Sequence, residues 1–341
     1  MNLSDFDYQL PEELIGQAPI EPRDSCKLMV VDKKSGTIAH LIFHDLLDLL
    51  SDEFVLVLND TKVFPARLFG KKDTGGKTES LLLKQTSPNS FLCLVRGKVK
   101  INQKLIFAKD LSAQVVGKLH DGEVELSFSK TGPELLATID VIGKTPLPPY
   151  IHSNKAEIDL REKYQTVYAK YTGSAAAPTA GLHFTQHLLE SLKNKGVQIE
   201  YLTLHVGLGT FKPVTKEQVE SKTLHGEEYQ LSEPVAARLN KAKSLGKKII
   251  AVGTTTTRTL ESLTNSRGEL VAGEGSTSLF IQPGYKFKFV DGLITNFHLP
   301  QTSLLMLVSA LSTRENILRA YQEAVNHKYK FFSFGDAMLI F

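Results

Sequence analysis

Lys248-Ile249-Ile250-Ala251-Val252-Gly253-Thr254-Thr255-Thr256-Thr257-Arg258 is the stretch from which the fold is read. An apolar run of strand length ends in a glycine and passes through four threonines into a helical pattern over Thr257–Leu263. Outward from it, strand-like Val197–Leu204, Leu293–His298 and Phe332–Ile340 alternate with helical patterns at Glu233–Leu245 and Asn316–His327. That alternation predicts an α/β large domain, a mixed sheet with flanking helices and at least some parallel strands. Leu28–Asp32 and Phe54–Leu58 are expected to join the sheet, because a short N-terminal piece could not bury their side chains alone.

Between these parts the pattern is different. Leu81–Lys84, Phe91–Arg96, Lys104–Phe107, Ala113–Leu119 and Val124–Phe128 are short apolar or alternating runs separated by Gly, Pro, Asn and Asp. Closely spaced strands of this kind predict an inserted small antiparallel β-barrel domain. Its expected limits are 63–149, leaving 1–62 and 150–341 as a discontinuous large domain. The segment Arg67–Lys144 carries a formal charge of +5, and the rest of the chain −2. Arg96, Lys98 and Lys100 make it a candidate track for a phosphate backbone, against the plainer reading of a solvated basic face.

With 341 residues, 42% hydrophobic and 23% charged, the chain fits two folded domains and excludes collagen-like and disordered classes. The longest nearly apolar run, Leu304–Leu311, is far short of a membrane helix, so no membrane partner is expected. Two cysteines, Cys26 and Cys93, have neither disulfide-framework nor zinc-site spacing, which suits a reducing cytoplasm.

Several clusters can carry chemistry. Ala177–Thr185 contains Thr179, Gly181 and His183 just before an apolar-periodic stretch, so His183 is expected in the turn that opens a helix. The helix dipole would keep it neutral there and able to take a proton; the plainer alternative is a histidine bonded to the turn. His183 and His187 have the spacing of a metal pair, but no Glu follows His183 and no third ligand is evident, so no metal is expected. The run Leu204–Phe211, with His205, Gly207 and Gly209, is a glycine-bearing turn after a strand, open to close ligand approach. It lacks the third glycine of a dinucleotide site. Thr254, Thr255 and Arg258 could converge on an anion at a helix start, or cap the helix while Arg258 pairs with Glu261. His225 and Glu227 share one face of a strand, and Asn296 and His298 end another.

The same segments carry a resemblance. Leu58–Lys62 with Pro65-Ala66-Arg67, Pro146–Tyr150, Tyr164–Ala169, Ala176–Thr185, His205–Phe211, His225–Glu227, Gly253–Glu261, Asn296–Pro300, Leu304–Val308 and Ser333–Met338 follow one another as in the S-adenosylmethionine:tRNA ribosyltransferase-isomerase family of queuosine biosynthesis, which the chain resembles over essentially its whole length. Two departures stand out. Gln301-Thr302-Ser303 replaces the common Lys-Ser-Thr, and the threonine run replaces Thr-Thr-Ser-Val before Arg258.

The resemblance implies S-adenosylmethionine as a consumed co-substrate and, as partner, a tRNA bearing 7-aminomethyl-7-deazaguanine at the wobble position of its anticodon loop. The ribosyl moiety is transferred and isomerised to give epoxyqueuosine, with release of adenine and methionine. Side-chain chemistry then suggests His183 as the base at the carbon beside the sulfonium, and His205, His225 or His298 as donor to the departing adenine. Glu227 or Asp336 would take the proton of the attacking amine. Thr254, Thr255 and Arg258 would hold the methionine carboxylate, and Tyr168 or Phe297 would face the sulfonium. The alternatives are a non-catalytic RNA-binding protein that uses the basic barrel, and a metal-dependent hydrolase built on His183 and His187.

Overall fold

The computed structural model describes residues 2–119, 122–148, 150–151, 156–207, 215–221 and 223–341. Its central sheet has nine strands, in the order Gly273–Leu279, Thr223–Leu231, Gln198–Leu204, Phe54–Asn59, Lys248–Val252, Gly292–Asn296, Ala337–Ile340, Lys27–Val31 and Ile38–Ile42. The four strands from Gln198–Leu204 to Gly292–Asn296 are mutually parallel, and antiparallel pairs flank them. The sheet is therefore mixed, as the alternation predicts.

Near-continuous apolar runs are what a sheet covered on both faces requires. Successive side chains point to opposite faces, and the packing follows that period. Val55, Val57, Ile249 and Ala251 join Leu239, Leu260, Leu305, Ile317 and Tyr321 from the helices of one layer. Leu56, Leu58, Ile250 and Val252 join Leu188, Leu189 and Leu192 of helix Gln186–Asn194 on the other.

The inserted strands close a six-stranded antiparallel barrel, in the order Glu123–Phe128, Ser90–Arg96, Lys77–Ser87, Arg67–Lys72, Lys104–Ile106 and Ser112–Lys118. Alternation again sets the core: Phe91 and Cys93, Ala113 and Val115, and Val124, Leu126 and Phe128 fill the interior, and Leu135 and Ile139 of helix Gly132–Ile142 pack against them. Closure leaves no free sheet edge.

Several boundaries differ from the sequence reading, and strands Ile38–Ile42 and Arg67–Lys72 are not in it. The strand expected over Leu293–His298 stops at Asn296. The one expected over Phe332–Ile340 begins only at Ala337, because Phe332 takes a positive φ of 70° and Asp336 binds two backbone N–H groups in a turn. The helix after Lys248–Val252 begins at Thr254, three residues early, since Gly253 with φ 91° ends the strand in one step. No described helix is long and apolar enough to cross a membrane.

Candidate active site

Two clefts open beside the C-terminal ends of the parallel strands, the position where open α/β sheets bind ligands. The first, about 420 Å³, is walled by Ala177–Ala180, Val206, Gly253–Thr255, Thr295–Thr302, Phe332, Ser333 and Tyr150. The second, about 380 Å³, lies between sheet and barrel: His205, Gly207, His225–Glu228 and Arg258 face Leu83, Lys84, Leu92 and Leu94. Leu304, in the first turn of helix Ser303–Leu311, belongs to both walls. Both volumes fall in the range of small-molecule sites.

In the first cleft, Thr254 and Thr255 stand at the start of helix Thr254–Leu263, where backbone N–H groups lack intrahelical partners. The other threonines of the run do not cap it. Thr256 Oγ1 donates to the Val252 carbonyl at 2.7 Å and Thr257 Oγ1 to Gly253 at 3.2 Å, so both hydroxyls turn back into the helix. Thr179 also reaches this cleft. His298 lines it with Nε2 2.9 Å from Thr295 Oγ1, and burial lowers its pKa to about 3, leaving a neutral imidazole. Among the described residues this wall carries no Asp, Glu, Lys or Arg.

Asn296 is 3% exposed on the same wall. Its amide Nδ2 donates to His183 Nε2 at 3.0 Å and to the Phe332 carbonyl at 2.9 Å. His183 itself is not on the wall. It ends the 3₁₀ turn Thr179–His183, two residues before Thr185 caps helix Gln186–Asn194, and packs against Cys26 Sγ at 3.2 Å and the Phe43 ring. Its pKa is lowered to about 4, first by burial and then by nearby Arg23. His187 is exposed while His183 is buried, so the pair does not converge.

The second cleft contains the buried ion pair of Glu227 and Arg258. Arg258 Nε and Nη2 also donate to the carbonyls of Leu279 at 2.9 Å and Thr277 at 3.2 Å, and Glu227 Oε1 accepts from Gly207 N–H at 3.1 Å. The guanidinium therefore pairs with Glu227. Glu261, its expected surface partner, is itself buried and accepts from the N–H groups of Lys288, Phe289 and Val290. His205 Nδ1 meets Thr61 Oγ1 at 2.8 Å, and burial lowers its pKa. His225 lines the cleft, half-buried.

Asp336, Tyr168 and Gly181, expected in the site, line neither cleft. Asp336 is 2% exposed and occupied by the N–H groups of Lys27 and Lys330, each at 2.7 Å, so it is a turn-holding carboxylate. Tyr168 is half-buried with its hydroxyl enclosed against Gly181, where an added Cβ would lie 2.0 Å from the phenolic oxygen, so this pair is packing and lines neither cleft. Phe297 belongs to the first cleft's wall, but its ring is packed among Tyr321, Tyr329 and Phe331. Gly209 lies outside the described residues. Arg96, Lys98 and Lys100 are exposed at and beyond the end of the strand whose Leu92 and Leu94 wall the second cleft.

The sequence reading missed Tyr150, Phe332 and Ser333. Tyr150 stacks on Phe332 with centroids 4.5 Å apart, and its hydroxyl meets Ser333 Oγ at 2.7 Å. Tyr150 and Ser333 fall within segments that carry the resemblance, which was the available signal. Among the described residues, the one cluster of three metal-ligating side chains, His40, Glu323 and His327, lies outside both clefts.

The sequence model of a family described as "Queuosine biosynthesis protein" matches residues 3–340. Among solved structures, the chain is similar to an S-adenosylmethionine tRNA ribosyltransferase from Thermotoga maritima. The two are 38% identical, the match covers 99% of this chain and 100% of that one, and the TM-score is 0.57.

Proposed function

Because the chain belongs to the queuosine biosynthesis protein family, we infer that it is a transferase moving the ribosyl part of S-adenosylmethionine onto tRNA, the activity named for its Thermotoga maritima neighbour. The observation that carries this reading is the pair of adjoining clefts, one largely apolar and small-molecule-sized, the other shared with a basic barrel. The non-catalytic alternative leaves the first cleft without a purpose, and the separation of His183 from His187 removes the basis for the hydrolase.

S-adenosylmethionine is assigned to the first cleft. The start of helix Thr254–Leu263 offers N–H groups to its carboxylate, a part Arg258 does not share because Glu227 occupies it. Tyr150 and Phe332 replace Tyr168 and Phe297 as the aromatic faces toward the sulfonium, worth roughly 0.5–2 kcal/mol. His298, neutral and on the wall, takes over from His183 as the base at the acidified carbon. The 7-aminomethyl-7-deazaguanine of the anticodon loop enters the second cleft as a base splayed from a single strand. His205, neutral there through burial, is better suited than the ion-paired Glu227 to accept the amine proton.

The test is incubation with S-adenosylmethionine and tRNA carrying that amine. Adenine and methionine release that requires the modified tRNA, and an epoxyqueuosine product, are expected. Adenine release independent of the tRNA would overturn the reading.

A further inference from the structure

The antiparallel hairpin at one edge of the sheet, Lys27–Val31 with Ile38–Ile42, is bound to the segment of helix Arg314–Asn326 at two separate points. Arg319 Nη2 donates to the Gly36 carbonyl at 2.8 Å, and Lys27 Nζ to the His327 carbonyl at 2.8 Å. The same two elements bring together His40 from the edge strand, Glu323 from the last turn of the helix and His327 from its C-cap. Each offers a ligand atom, and the three atoms lie within 4.8 Å of one another. Glu323 Oε1 is 2.8 Å from His327 Nε2 and 4.0 Å from His40 Nε2. The spacing of Glu323 and His327 puts both on one face of the helix. His40 Nδ1 meets the hydroxyl of the buried Tyr329 at 2.9 Å. Burial and then the neighbouring His327 lower the pKa of His40, so its imidazole is neutral at neutral pH.

We propose that His40, Glu323 and His327 bind a divalent transition-metal ion of the zinc type, which clamps the edge strand to the end of the helix. Two imidazoles and a carboxylate suit such ions, whereas calcium and magnesium call for oxygen ligands. Tetrahedral coordination with bonds of about 2.0–2.2 Å puts neighbouring donors about 3.4 Å apart. The shorter contact to Glu323 therefore opens, and the longer one closes, by about 0.6 Å each. The His40 and His327 rings are stacked, with centroids 4.4 Å apart and planes at 26°. Ring lone pairs lie in the ring planes, so binding parts the stack. The more exposed His327 makes the turn, about a broad terminal torsion. With Nε2 on the metal, the ring proton of His40 sits on Nδ1 and the Tyr329 oxygen accepts it, the kind of outer partner that metal-ligating histidines carry. Lys27 adds a like charge, but its ammonium is engaged by the carbonyls of His327 and Lys328. Ile38–Ile42 ends the sheet and has one strand partner among the described residues, so opening of this strand is what the ion resists. The site lies outside both clefts, and the proposal does not rest on the transferase reading.

The experiment titrates the full chain, first stripped with a chelator, with zinc chloride by calorimetry. Saturable uptake of one Zn²⁺ per chain is expected, with no uptake of Mg²⁺. His40→Ala, Glu323→Ala and His327→Ala should each weaken binding by more than about a hundredfold, and Tyr329→Phe by about ten- to a hundredfold, the range for an outer partner. All three ligands are more than a third exposed, so their variants should fold. His187→Ala, which removes an exposed histidine elsewhere, should leave binding unchanged. Zn²⁺ should also raise the thermal unfolding midpoint as its concentration increases, and slow amide hydrogen exchange across Ile38–Ile42, in wild type and not in His40→Ala. Unsaturable uptake overturns the proposal. So does saturable binding that survives all three ligand substitutions, which would be adventitious uptake by other surface groups. Binding that leaves exchange across Ile38–Ile42 unaltered overturns the clamp.

Discussion

Arg258 and Glu227 show how a residue can be legible in type and not in role. The arginine beside a hydroxyl-rich helix start reads as an anion holder, yet both members of the pair are 4% exposed and bonded to each other. Removing one charge strands the other in a buried position. Glu227→Gln is expected to destabilise the fold by about 3–5 kcal/mol, read from the urea unfolding midpoint, and a loss under about 1 kcal/mol would mean water reaches the pair. The buried histidines set a pH dependence. An imidazole whose native pKa lies below its unfolded value of about 6.5 holds fewer protons when folded. Stability is then full above that value and falls as the pH drops toward the native pKa, about 4 for His183 and about 3 for His298. The unfolding midpoint should therefore be lower at pH 5 than at pH 7, and the drop should shrink in His298→Asn. An equal drop in both proteins would show that His298 is protonated when folded.

At the scale of the element, the turn from strand Lys248–Val252 into helix Thr254–Leu263 controls the first cleft. Gly253 holds φ 91° and ψ 151°, a conformation closed to residues with a Cβ. An added Cβ would have ordinary room, 3.6 Å from Thr255 Oγ1 and 3.8 Å from Ala180 Cβ, so the penalty of Gly253→Ala comes from the backbone alone. It should cost about 1–3 kcal/mol and raise the KM for S-adenosylmethionine, because the helix start would shift. An unaltered KM would detach this turn from the ligand. The glycine and the strand before it are readable from sequence; the back-bonding of Thr256 and Thr257 is not, since a threonine before a helix serves a cap or a carbonyl four residues back with equal local propriety.

For the whole molecule, the barrel supplies one wall of the second cleft and carries the positive charge. Lys84 crosses the gap to Glu228 at 2.5 Å. If RNA phosphates lie along Arg96, Lys98 and Lys100, each contact adds about −0.7 to the slope of log affinity against log salt. Replacing all three by Gln should flatten that slope by roughly 2 and weaken tRNA binding, with the KM for S-adenosylmethionine little changed. A slope that stays the same would place the RNA on another face.

The α/β alternation, the inserted barrel and five of its six strands were determined by the sequence itself, because each follows from the period at which apolar side chains recur along one local segment. What each polar group does was decided only by tertiary structure. Asn296 meets His183 across 113 positions of chain, and Arg258 meets Glu227 across 31. Such partners determine whether a histidine faces a ligand or stands behind an amide, and whether an arginine is available or already neutralised. No local pattern encodes a pairing between distant segments; the packing of the sheet with its covering helices creates it.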